Sequence, residues 1–323
     1  MFMAVWLCYA ARPPFFQSFL YPFSKEVRLL MKNGFITGKT RCFAIIGDPV
    51  EQTLSPIIQN GGMNAAGEDA LMVGLHVRKE NLKEAIDGVR ALHLAGLSVT
   101  MPLKTAIIPY LDECAENIRY IGAVNVVTNH DGYLKGYNTD GEGFVLSMKD
   151  SGADPKGKSM LMFGAGGAAK GIAYAFLESG ISSLTVCNRS KEHALEMLSL
   201  LREKFDTPME AVSADEETFA SVCTSADIVM NATNMGMGGA PSPHIKWIPW
   251  ETLKPDIWIC DVVNKPVETD YIKKAQQCGF RTFTGDAMTL YQARIAYHLF
   301  FETDKVPFDG MREALERKMV VNE

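Results

Sequence analysis

Long apolar runs, paired cysteines and clustered positive charge are all missing from this chain, and each absence excludes a class of protein. No apolar stretch approaches the roughly 18–20 residues that a membrane-spanning helix needs, so no membrane partner is expected; the longest candidates lie at 1–11 and 257–263. The seven cysteines, at 8, 42, 114, 187, 223, 260 and 278, are odd in number and form no Cys-x-x-Cys. They suggest neither a disulfide framework nor a zinc ribbon; no metal is expected, and a reducing, cytoplasmic setting suits them. A net charge of −6, with no basic run interleaved by aromatics, argues against a nucleic-acid partner.

What is present has an ordinary globular make-up. With 47% hydrophobic and 22% charged residues, 27 Gly and 15 Pro, the composition excludes disorder, collagen and coiled coil. At 323 residues the chain exceeds a usual domain of roughly 100–200, so two domains sharing a cleft are expected. Residues 1–40 stand apart: five Lys/Arg against the single acid Glu26 give +4, leaving −10 for the rest. They lack the positively charged start and small-residue cleavage site of a secretory signal. Met31 offers a second start, so 1–40 reads as an extension, disordered or a misassigned beginning.

From Arg41 onward, strand-length apolar runs alternate with helical patterns. Strands are expected over 42–46, 71–77 and 97–100, with Ser55-Pro56 opening a helix and Leu82, Ile86, Val89 and Leu92/His93 recurring at helical spacing until Gly96 closes that helix. A hairpin is expected from 124–128 and 133–137, then a helix capped by Thr139 and running to Ser151. The stretch 151–158 has the Gly, Pro and polar residues of a boundary. Beyond it come strands over 159–163, 184–188, 227–231 and 257–263, and helices over 167–179, 192–205 and 269–278. Strands separated by helices make a parallel sheet, so the second half reads as doubly wound α/β. An amphipathic helix over 287–301 can return to the first half.

The strand over 159–163 runs into Gly164-Ala165-Gly166-Gly167-Ala168-Ala169, a G-x-G-x-x-A turn leading into a helix. Gly164 permits the tight turn, Gly166 lets the backbone approach a pyrophosphate, and the small residue at 169 lets helix and strand pack closely. The free N–H groups of the helix start then face the anion. A dinucleotide site is therefore expected. An NAD site usually places an acid after the second strand, but this chain has Asn188-Arg189-Ser190-Lys191, whose cations and hydroxyl suit a 2′-phosphate; NADP is expected over NAD.

Proton transfer to or from an alcohol needs a positioned acid–base group, and none of the six histidines has a partner-rich setting. Lys104, just past the strand over 97–100, and Asp140, at a helix start, stand where open α/β sheets bind ligands. A partly buried lysine hydrogen-bonded to a substrate hydroxyl, oriented by a carboxylate, can serve as that group. A surface salt bridge is the alternative.

Together these residues resemble the shikimate dehydrogenase family, including its quinate/shikimate 5-dehydrogenase branch. Gly47-Asp48-Pro49-Val50 with Thr53-x-Ser55-Pro56, Val99-Thr100-Met101-Pro102-Leu103-Lys104, Gly122-Ala123-Val124-Asn125, Asn138-Thr139-Asp140-Gly141, Gly164–Ala168, Asn188-Arg189-Ser190, Asn231-Ala232-Thr233 with Gly236-Met237, and Gln292-Ala293 follow in the family's order over about 41–300. The resemblance implies a substrate-binding catalytic domain over 41–150 plus 287–323 and a Rossmann dinucleotide-binding domain over 151–286. It implies reversible NADP-dependent reduction of 3-dehydroshikimate in aromatic amino-acid biosynthesis, by a monomer or homodimer. Lys104 and Asp140 would be the catalytic pair, Thr100, Asn125 and Gln292 would meet the ring hydroxyls, and Thr53 and Ser55 would hold the carboxylate. Asn188, Arg189 and Ser190 would meet the adenosine phosphate, with Thr233 and Gly285 near the nicotinamide.

Three departures bear on the substrate. Thr53 stands for a serine, Ser98 for an asparagine, and Asn264 in Asp261-Val262-Val263-Asn264-Lys265-Pro266 for a tyrosine whose reach a carboxamide does not match. They leave open quinate or another ring acid, used with NAD. A ligand-sensing regulator without catalysis is the reading from a different class.

Overall fold

The structure, a computed structural model, describes residues 36–321. The expected extension over 1–40 lies outside the described residues up to position 35; Thr37 and Thr40 form a turn, and the Thr40 hydroxyl donates to Asp69 at 2.7 Å.

The first unit runs β1 (Arg41–Gly47), α1 (Ser55–Ala66), β2 (Ala70–His76), α2 (Leu82–Ala91), β3 (Gly96–Val99), α3 (Leu103–Ala106), β4 (Glu113–Cys114), α4 (Ile118–Ile121), β5 (Val126–His130), β6 (Tyr133–Tyr137) and α5 (Asp140–Asp150). Its six strands lie in the order β2-β1-β3-β5-β6-β4. The β5–β6 hairpin turns through Asp131 and Gly132, both at positive φ, the conformation that matches strand twist in a two-residue turn.

The second unit runs β7 (Ser159–Phe163), α6 (Gly167–Glu178), β8 (Ser183–Asn188), α7 (Lys191–Leu201), β9 (Met209–Ser213), α8 (Glu216–Ser225), β10 (Ile228–Asn231), β11 (Trp258–Asp261), α9 (Asp270–Gln277) and β12 (Arg281–Phe283). Every pairing in its sheet is parallel, in the order β12-β11-β10-β7-β8-β9. The order reverses direction between β7 and β10, the point at which a doubly wound sheet opens a crevice at its strand ends. Successive residues of its strands face opposite layers: Met160 and Met162 enter one apolar cluster, Leu161 and Phe163 the other.

The chain then returns. Helices α10 (Gly285–Phe301) and α11 (Phe308–Val321) cover one face of the first sheet, where Leu290, Ala293, Tyr297, Phe300 and Met311 pack with Phe43, Ile58 and Met72. Several expectations need correcting. Gly96 does not close α2; it begins β3, where a Cβ would strike the Phe300 ring at 2.9 Å, and the helix ends at Ala91 with His93 at φ 52. Leu92 is 74% exposed, so the apolar stripe stops at Val89. Ser55 is the first residue of α1, with Leu54 at the cap and no side-chain capping bond. Strands β9 and β12 and helices α8 and α11 were not foreseen. Among the described residues no helix is long and apolar enough to cross a membrane.

Candidate active site

Loops at the strand ends of both sheets line a cavity of about 350 Å³. The first sheet supplies Thr53, Ser55, Thr100 and Lys104, and the second supplies Gly238, Asn264 and Lys265 from the segments after β10 and β11. Asn125, Asp140 and Gln292 complete it, so all seven residues expected for catalysis and substrate come to one place.

The centre is Lys104, whose Nζ lies 2.6 Å from Asp140 Oδ2. Their side chains are 29% and 15% exposed, which separates this pair from an ordinary surface salt bridge. Short helix α3 carries Lys104 off the end of β3; its own carbonyl accepts from the Val124 amide at 2.8 Å, which ties it to the segment leading into β5 that bears Asn125. Asp140 is the first residue of α5, where a carboxylate is favoured by the helix dipole and its amide donates to Asn138 Oδ1 at 3.2 Å.

Asn125 is the hub. Its Nδ2 lies within donating distance of Asp140 Oδ1 at 2.9 Å, Thr139 Oγ1 at 3.0 Å and Gln292 Oε1 at 3.3 Å, and its Oδ1 accepts from the Thr139 amide at 2.9 Å. Thr139 occupies the cap position of α5 without capping it; its hydroxyl instead reaches the Gln292 backbone oxygen at 3.2 Å. Thr53 Oγ1 lies 3.4 Å from Ser55 Oγ on the neighbouring wall.

Two glycines set this geometry. On α5, a Cβ at Gly141 would fall 2.1 Å from the Gly171 carbonyl oxygen of α6, and one at Gly143 would fall 2.5 Å from the Gln292 amide nitrogen of α10. Only bare backbone lets α5 sit this close to both helices, so Gly143 places Gln292 beside Thr139 and Asn125.

At the crevice of the second sheet, Gly164 has φ +102 and Gly166 precedes α6, whose start carries no side-chain cap. Cβ atoms at Gly166 and Gly167 would meet nothing within 4 Å, so open space lies before the free amides. This cradle fits a pyrophosphate. Ala165 and Ala168 complete the turn. Thr233 borders Gly164, its Cγ2 2.9 Å from where a Cβ would stand, and its hydroxyl donates to Asn231 Oδ1 at 2.6 Å. Asn231 in turn donates to Asp261 Oδ1 at 2.9 Å. Burial pushes the Asp261 carboxyl up to about 6, although Thr269, Val263 and Asn231 all donate to it.

At the end of β8, Arg189 is exposed and has no ion pair among the described residues. Ser190 is already engaged: it caps α7 by accepting from the His193 amide and donates to Glu192 at 2.9 Å. Asn188 Nδ2 donates to the Ser190 carbonyl at 2.7 Å and shapes that corner. Gly285 is buried at the start of α10, where a Cβ would lie 2.3 Å from the Val262 carbonyl oxygen; close packing accounts for it.

Similarity to known proteins agrees with this geometry. The family model for the shikimate dehydrogenase substrate binding domain matches residues 45–127, and that for shikimate / quinate 5-dehydrogenase matches 147–238. The shikimate dehydrogenase (NADP(+)) of Alkaliphilus metalliredigens is 37% identical over 284 residues, covering 88% of this chain and 99% of the relative. The chain belongs to the shikimate dehydrogenase family. Among solved structures, shikimate 5-dehydrogenase from Listeria monocytogenes in complex with shikimate and NAD superposes with a TM-score of 0.80 at 32% identity, over 87% of this chain and 98% of that one. A ligand-free 5-ketofructose reductase of Gluconobacter sp. strain CHM43 follows at 0.78 and 29%, over 87% and 99%.

The family's motifs direct attention to Asn264, but Lys265 beside it was missed. Its Nζ donates to the Gln52 carbonyl at 3.0 Å, joining the two strand-end loops across the cavity. A lysine directly before a proline in a loop carries no periodic signal, and only the fold brings it to the site.

Proposed function

We propose that this protein catalyses the reversible NADP-dependent reduction of 3-dehydroshikimate to shikimate. The observation that carries the reading is the partly shielded Lys104–Asp140 pair at 2.6 Å, in a cavity shared by the strand ends of two sheets. NADPH supplies the hydride when bound. In the reducing direction the Lys104 ammonium gives a proton to the oxygen that becomes the hydroxyl, and in the oxidising direction the neutral amine takes it back. Asp140 fixes the lysine by accepting its hydrogen bond.

On this reading Thr100, Asn125 and Gln292 orient the ring hydroxyls, while Thr53 and Ser55 hold the carboxylate. The turn Gly164, Ala165, Gly166, Gly167 and Ala168, with Asn188, Arg189, Ser190, Thr233 and Gly285 around it, forms the NADP site. Residues 41–150 with 287–323 act as the substrate-binding catalytic domain and 151–286 as the dinucleotide-binding domain. The working form is a monomer or homodimer, and the six described cysteines, all free, suit a cytoplasmic setting.

Initial rates with shikimate, quinate and a neutral sugar ketone, each with NADP and NAD cofactors, test the reading. Shikimate with NADP should give the highest kcat/KM, and Lys104→Met should lower kcat about 10²- to 10⁴-fold while leaving NADP binding intact. Negligible turnover of shikimate with NADP at any pH would overturn it, and ligand binding without turnover would point to a regulator.

A further inference from the structure

We propose that Lys265 makes this cleft selective for a substrate bearing a carboxylate over a neutral polyol ketone. The inference rests on the functional reading above and deepens it by assigning the charge that chooses the substrate class. Structurally similar proteins are named for both kinds of molecule, shikimate being a ring acid and 5-ketofructose a sugar ketone without a carboxylate.

The charge balance of the cavity decides between them. Three ionisable side chains line it: Lys104, Asp140 and Lys265. The first two pair at 2.6 Å and cancel, which leaves the cavity with one formal positive charge. Lys265 has no carboxylate within ion-pair distance among the described residues; its ammonium is held only by the Gln52 carbonyl, one residue before Thr53. An ammonium has three donors, so two remain for a ligand. The hydroxyls of Thr53 and Ser55 stand on the same wall. One cation with two hydroxyl donors matches a monoanionic carboxylate, whereas a neutral ligand of the same size forfeits the charge-assisted bonds. Asn264, whose Nδ2 donates to the Thr289 hydroxyl at 3.3 Å, is neutral and adds no charge to the site.

Lys265 lies at the mouth of the cavity and is exposed, so solvent screens the attraction and the expected contribution is moderate. The test compares kcat/KM for shikimate with that for its methyl ester, at low salt, in wild-type enzyme and in the Lys265→Met and Lys265→Arg variants. The acid-to-ester ratio should fall about fivefold in Lys265→Met, survive in Lys265→Arg, and shrink in the wild type as salt is added. A lysine that merely clasped the two loops would lower both substrates alike, so an unchanged ratio in Lys265→Met overturns the proposal. Calorimetric binding of shikimate and of its methyl ester with NADPH present, a pairing that cannot react, gives the same comparison without turnover. Wild-type enzyme that binds shikimate through Lys265 but does not oxidise it would support this inference and overturn the functional reading.

Discussion

Replacing Gly143 by alanine adds one methyl group far smaller than the site it should disable. The new Cβ would lie 2.5 Å from the Gln292 amide nitrogen and 2.8 Å from its Cα, where ordinary contact needs about 3.5–4 Å. Helices α5 and α10 must therefore part by about 1 Å. Overpacking of that kind costs about 1–3 kcal/mol, while alanine in a helix interior regains only about 0.5–1 kcal/mol over glycine, so a net loss of about 1 kcal/mol and a melting temperature lower by a few degrees are expected. Activity should suffer more than stability. Gln292 reaches Asn125 at 3.3 Å, already at the long end for a hydrogen bond, and a further 1 Å breaks it. Misplacement on that scale lowers kcat/KM for shikimate about 10²-fold, with NADP affinity changed less than about twofold. Gly88→Ala in α2 is the control: nothing lies within 4 Å of its Cβ, so it should stabilise slightly and leave rates alone. Wild-type kcat/KM and an unchanged melting temperature in Gly143→Ala would refute the packing argument.

Two further outcomes are expected. Arg189→Ala should raise KM for NADP about tenfold or more and leave KM for NAD in place, because the exposed guanidinium suits a 2′-phosphate that NAD lacks; equal effects on both cofactors would remove Arg189 from that role. His244 is buried against Phe163 and Tyr271 with no protein partner on either ring nitrogen, and burial pushes its pKa down from 6.5 to about 4. Folding thus disfavours its charged form, so its stability contribution is complete above pH 6.5 and is lost as pH falls toward 4. Denaturant titrations should show His244→Phe gaining on the order of 3 kcal/mol relative to wild type between pH 7 and pH 4, and parallel pH profiles for the two proteins would contradict this.

Much of the molecule was legible in the residues. The strand–glycine turn–helix signature marked the dinucleotide crevice because its chemistry is local, and Lys104 and Asp140 were singled out because both stand at strand ends. What escaped was non-local or weakly patterned. Strand β12 has three residues and edge strand β9 is only partly buried, so neither shows a period. Gly141 and Gly143 were visible as glycines inside a helix, a pattern that often marks close packing, but the partners Gly171 and Gln292 lie within other helices, α6 and α10, remote in sequence. Thr139 was read as a cap from its position, and the fold uses its hydroxyl for Gln292 instead.

The returning helices also govern the order in which the protein takes shape during synthesis. Arg41 Nη2 donates to the Phe300 carbonyl across 259 residues, and the Phe300 ring packs tilted against Phe43, centroids 4.9 Å apart, and closes over Gly96. The second sheet, by contrast, draws all its strands from one continuous stretch between Ser159 and Phe283. As the nascent chain emerges, the later half can complete its core while the earlier half still holds Phe43, Met72 and Val126 bare, reversing the usual N-terminal-first order. A transcript ending before α10 would therefore release an intact nucleotide-binding sheet attached to an open apolar face, a species suited to capture by chaperones or to aggregation.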